Sequence, residues 1–238
     1  MGRLPVLLYL HGGGFVSGSI EFYDTPLRKL AKETGWAIAS VDYRLAPEHP
    51  FPAGLDDCYA ALSYIVAEQA SLNLDASRIV VAGDSAGGLL SVATALMARD
   101  QGKPALAGVI CLYPNTDLRD DSGYPSKAEH DGKVFSLHEY AQLMGLYLPG
   151  VDRRQPYVSP VLAEDLTGLP PSLIITCGCD PLRDEGEALG KRLRASGIAT
   201  ETVRLEGMLH GLLSMLPLMP VAGERLLRLI NSFLQKLP

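Results

Sequence analysis

The sequence predicts an α/β fold with a mostly parallel central sheet and helices on both of its faces. Short apolar runs rich in Val, Ile and Leu alternate with longer stretches of helical period, the pattern of strands joined by crossover helices. Several of these runs end in Gly- or Pro-rich loops, which is where open α/β sheets build their sites. At the centre, Gly83-Asp84-Ser85-Ala86-Gly87-Gly88 joins a β-branched run to an Ala-rich apolar run, so that a strand must reverse into a helix within a few small residues.

In chain order, residues 5–10 form the first strand, which ends at His11-Gly12-Gly13-Gly14-Phe15. Residues 25–34 form a mixed helix stopped by Gly35, and 36–41 a second strand. The loop from Asp42 to Pro52 holds Pro47, Pro50 and Pro52, which forbid helix and stiffen the chain. From Pro52 the spacing of Leu55, Cys58, Leu62 and Ile65 predicts a helix that packs on the sheet. A strand at 79–81 and a buried helix at 89–97 flank Ser85, and 106–113 is the next strand. Residues 115–150 are irregular apart from a helical stretch at 137–148 and read as a partial cap inserted between strands, with His130 and His138 solvated. Residues 171–177 form a strand ending at Gly178-Cys179-Asp180-Pro181. In the helix at 184–196, acids occupy the first turn and bases the last, so Asp184 and Glu185 read as helix-start residues. A last strand at 200–205, the loop Gly207-Met208-Leu209-His210-Gly211 and a helix at 221–236 complete a single domain over residues 1–238.

Ser85 stands at the tip of the strand-to-helix turn, where the Ala86 amide at the helix start can donate to a developing anion. A phosphate loop is excluded, because Leu89 stands where that motif needs Lys. Three consecutive glycines are costly in backbone entropy, which is explained if the amides of Gly13 and Gly14 must approach a reacting group. Asp180 precedes a proline at a strand's carboxyl end and is not explained as a helix start. His210 is flanked by a Gly-rich loop after the last strand.

The formal net charge of −6 is spread among scattered Lys and Arg, which argues against nucleic acid or an anionic membrane as a partner. The first apolar run is too short for a signal-peptide core and no segment is long enough to span a bilayer, so the chain reads as cytoplasmic, without stable membrane insertion. Cys58, Cys111, Cys177 and Cys179 form no CxxC pair and read as free thiols, with no metal site.

Taken together, His11-Gly12-Gly13-Gly14-Phe15, Asp42-Tyr43-Arg44-Leu45-Ala46-Pro47-Glu48, Gly83-Asp84-Ser85-Ala86-Gly87-Gly88, Asp180-Pro181-Leu182-Arg183-Asp184-Glu185 and Gly207-Met208-Leu209-His210-Gly211 resemble the bacterial hormone-sensitive-lipase-like carboxylesterases. The resemblance implies an α/β-hydrolase fold and hydrolysis of small-molecule, short-acyl esters without a cofactor. It implies Ser85 as nucleophile, His210 as general base and acid, Asp180 as its orienting carboxylate, and Gly13, Gly14 and Ala86 as oxyanion donors. Phe15, Tyr113 and Leu182 are expected to line the substrate pocket. An amidase on the same triad and a non-catalytic ligand-binding relative are the alternatives; such relatives typically lack the catalytic His, which is present here.

Members of that family usually carry about two helices and a strand hairpin ahead of the oxyanion strand. This chain begins close to that strand, so the expectation is a sheet shortened at that edge and a reduced cap, in either a naturally short form or a piece of a longer chain. The strand at 36–41 should then have an open edge, through which a homodimer is expected.

Overall fold

Strands β1 (Leu4–Leu10), β2 (Ala37–Val41), β3 (Leu74–Asp84), β4 (Gly108–Leu112), β5 (Ser172–Cys179) and β6 (Thr200–Leu209) form one sheet in the order β2-β1-β3-β4-β5-β6. Every adjacent pair is parallel, where the sequence predicted a mostly parallel sheet. The computed structural model describes residues 2–237.

The period of two along each strand divides the core. In β1, Val6, Leu8 and Leu10 face one layer, with α2 (Ala53–Ala67) and α3 (Ala86–Asp100) packed over them. Leu7 and Tyr9 face the other layer, under α1 (Ile20–Thr34) and α7 (Pro220–Leu234). A strand buried on both faces must be apolar throughout, which is why β1 reads as a continuous run rather than an alternation. Helix α6 (Arg183–Ala195) joins α3 on the first face through Leu189 and Leu193. The insertion between β4 and β5 carries α4 (Pro125–Glu129) and α5 (Leu137–Tyr147).

Several elements exceed their sequence-predicted lengths, α3 and β5 among them. Helix α1 begins at Ile20, because the Ser19 side chain accepts from the Phe22 amide as an N-cap and the helix continues through Pro26. Strand β3 starts at Leu74, which pairs with Leu4 across a register shift, although Asp75, Ser77 and Arg78 make that stretch polar. Strand β6 runs on to Leu209, which pairs with Cys179 across a register shift that gives β6 two extra residues. This last pairing sets the two residues that follow, His210 and Asp180, side by side. Among the described residues β2 has no partner on its outer edge, and no helix is long and apolar enough to cross a membrane.

Candidate active site

The β3–α3 turn puts Ser85 in a conformation few non-glycine residues adopt, with φ 55° and ψ −119°. Such strain costs about 1–3 kcal/mol and persists only where the surroundings over-determine it. Here the Ser85 amide donates to Leu112 O at 2.9 Å, while its carbonyl accepts from Gly88, Leu89 and Asn115 amides. The turn fits against β1 because Gly87 has no side chain: a Cβ there would lie 1.9 Å from Leu10 O.

His210 Nε2 lies 2.8 Å from Ser85 Oγ, and His210 Nδ1 lies 2.8 Å from Asp180 Oδ2. The other Asp180 oxygen accepts from the Leu182 amide at 2.9 Å, and Asp180 is wholly buried. With Nδ1–H donating to Asp180, Nε2 is left as an acceptor facing the serine hydroxyl. Burial acts to lower the His210 pKa, but the Asp180 carboxylate, helped by Asp84 and Glu185, outweighs it and holds the value above that of ordinary histidine.

Gly13 and Gly14 line the same cavity as Ser85 and His210. The Gly13 carbonyl turns into its own loop, accepting from Val16 N, Ser17 N and Ser17 Oγ. That turn needs φ +128° at Gly13, where a Cβ would meet Ser17 O at 2.1 Å. The amides of Gly13, Gly14 and Ala86 have no acceptor among the described residues.

Asp84, unassigned on the sequence beyond its motif, binds this loop to the nucleophile. Its buried carboxylate accepts from Gly12 N at 2.9 Å and from the hydroxyls of Tyr9 and Tyr23 at 2.8 Å each. Burial raises its pKa, and the two phenols oppose that rise. Register anticipates the contact, since Leu10 pairs with Gly83 and so brings Gly12 to Asp84.

The cavity has a volume of about 210 Å³, and Asn115, Phe135, Tyr140, Leu143 and Leu182 complete its walls. Leu182 was expected there; Phe135, Tyr140 and Leu143 come from the insertion. Ser85 Oγ lies 3.5 Å from Asn115 Oδ1, and the Asn115 amide group donates to the Tyr140 hydroxyl at 2.9 Å. Phe15 and Tyr113 do not line the cavity, contrary to expectation. Phe15 is buried and stacks on Tyr147 at 3.9 Å, while buried Tyr113 packs edge-on behind His210 and accepts from the Leu213 amide. Side-chain direction at a turn after a strand is fixed by backbone twist, and both residues have positive φ.

Glu185 stands in the first turn of α6, as expected, and is fully buried there; it pairs with Lys127 at 2.9 Å and accepts from Thr116 N at 2.7 Å. One further sequence reading is corrected. His130 is also buried, with Nε2 within 2.9 Å of Arg183 Nη1. Larger grooves of about 530 and 640 Å³ flank β2, but neither sets a nucleophile beside a base.

Residues 7–214 match the family described as alpha/beta hydrolase fold. The chain is 40% identical over 227 residues to carboxylesterase NlhH of Mycobacterium tuberculosis, covering 93% of this chain and 70% of that protein. It is 34% identical over 242 residues to the ethyl acetate hydrolase of Pseudomonas putida, covering 97% of this chain and 73% of that one. The solved hyperthermophilic esterase of Pyrobaculum calidifontis superposes with a TM-score of 0.94 at 40% identity, covering 98% of this chain and 77% of the other.

Proposed function

Because the chain belongs to the alpha/beta-hydrolase family and is a serine carboxylic-ester hydrolase, we propose that it cleaves small esters through an acyl-enzyme on Ser85. The observation that carries this reading is the unbroken row Ser85–His210–Asp180, with two contacts of 2.8 Å, opening on a cavity flanked by unpaired amides. His210 takes the hydroxyl proton as Ser85 attacks the ester carbonyl, then gives it to the departing alcohol. Asp180 keeps Nδ1 protonated and stabilises the imidazolium between those steps. The amides of Gly13, Gly14 and Ala86 receive the negative oxygen of the tetrahedral intermediate, and a water activated by His210 then releases the acid.

The volume supports small substrates. Drug-sized ligands occupy pockets of roughly 300–1,000 Å³, and this cavity is smaller at about 210 Å³. The insertion over residues 115–150 serves as the partial cap that closes it. The P. putida relative is named for an ester of an acetyl group, which agrees with a short acyl chain.

A series of nitrophenyl esters from acetate to decanoate tests the reading. The expected kcat/KM is highest among the short acyl groups and falls steeply as the chain lengthens. A profile that rises towards decanoate would contradict it. The unpaired edge of β2 further supports association of two copies through that strand.

A further inference from the structure

Two aromatic rings pack edge-on against His210. Tyr113 does so from behind, buried, with its ring centroid at 5.0 Å. Phe135 does so from the cavity side, at 5.3 Å and 81°, and its ring forms part of the cavity wall.

The chemistry fixes what must occupy that side. The proton that leaves Ser85 returns through His210 Nε2 to the leaving oxygen, so that oxygen must lie at Nε2. The carbonyl oxygen points instead at the amides of Gly13, Gly14 and Ala86. The alcohol half of the ester therefore projects along the His210 side, where Phe135 stands.

Phe135 is held in place before any substrate arrives. Its carbonyl accepts from Gly132 N at 3.1 Å, and Leu137 N donates to Asp131 at 2.7 Å across the same turn. The next residue, Ser136, caps α5 through a reciprocal pair with Glu139. Tyr140, one turn into α5, stacks on the Phe135 ring at 5.9 Å and 27°. A braced aromatic wall loses little freedom on binding a flat partner, and ring pairs gain beyond their buried area.

Resting on the assignment of His210 as the acid that protonates the leaving group, we propose that Phe135 is a specificity-determining residue on the alcohol side, selecting esters of aromatic alcohols over esters of small alkyl alcohols. Its contribution is to substrate binding, so it acts through KM.

The test holds the acyl group constant and changes the alcohol. Phenyl acetate and ethyl acetate are compared for the full chain, for Phe135→Ala and for Phe135→Leu, with phenyl butyrate as the acyl control. The expected result for Phe135→Ala is a fall of about tenfold in the phenyl-to-ethyl ratio of kcat/KM, carried mainly by KM for the phenyl ester. Phe135→Leu, which keeps an apolar side chain in the wall, should fall between. The butyrate-to-acetate ratio should change less than about twofold. Equal losses on phenyl and ethyl acetate, or a change confined to the butyrate-to-acetate ratio, would overturn the proposal. Ser85→Ala separates the underlying reading: turnover that survived in it would remove the triad assignment, whereas turnover lost in it leaves the Phe135 result to stand or fall alone.

Discussion

Asp84 joins two parts of the site that are distant in sequence, the oxyanion loop and the nucleophile turn. Gly12 N and Tyr9 Oη donate to one carboxylate oxygen and Tyr23 Oη to the other, so an amide, whose NH2 cannot accept, would lose at least one of the three bonds. Asp84→Asn should lower kcat by about 10- to 100-fold through misplacement of the Gly13 and Gly14 amides, measured on nitrophenyl acetate; an unchanged kcat would refute the role. The same substitution removes a negative charge that raises the His210 pKa. In the parent, kcat/KM should rise with pH with a midpoint above the ordinary histidine value of about 6.5, because His210 must be neutral to accept the proton. In Asp84→Asn that midpoint should move down. The sign for stability is opposite: the His210–Asp180 pairing stabilises the fold fully below the unfolded histidine pKa, and this contribution fades as pH rises through the higher folded value.

At the scale of elements, α4 is fastened to α6 by side chains 58 positions apart. Ser126 N donates to Asp184 Oδ2 at 2.9 Å and Asp184 N donates to Ser126 Oγ at 3.1 Å, beside the buried Lys127–Glu185 pair. Lys127→Met would leave the Glu185 carboxylate buried without its cation, costing about 3 kcal/mol at neutral pH. Urea unfolding measures this. The loss should shrink towards pH 5, because burial raises the Glu185 pKa and protonation removes the uncompensated charge. An equal loss at both pH values would argue against a charge effect. These fastenings also mark where the sequence stopped being legible. Ser85, Asp180 and His210 could be read because each follows a strand beside Gly or Pro, a context rare for its residue type. Glu185 was legible as a helix-start acid, but its burial was not, because its partners, Lys127 and Thr116, lie far away in the chain. Phe135 and Leu143 carried no signal, since their role depends on how the insertion folds back over the sheet. The helix expected from residue 25 begins at Ile20, capped by Ser19, and carries Pro26 within it.

For the whole molecule, the parallel sheet brings the carboxyl ends of β1, β3, β5 and β6 to one edge, and each supplies part of the site just beyond its last residues. Among the described residues β2 is an edge strand of the sheet. All five β2 residues are half-buried, and grooves lie on both of its faces. No proline or lysine blunts the strand. Light scattering should show a mass that grows towards twice the monomer with concentration, and Ala39→Lys should abolish the rise. A constant monomer mass in the parent would remove the homodimer. The acyl-enzyme on Ser85 is tested most directly by acid-quenching the enzyme during turnover of nitrophenyl acetate and mapping the acyl group by peptide mass. Acetylation is expected at Ser85, absent together with turnover in Ser85→Ala. Acetylation at another residue, or hydrolysis that persists in Ser85→Ala, would contradict it.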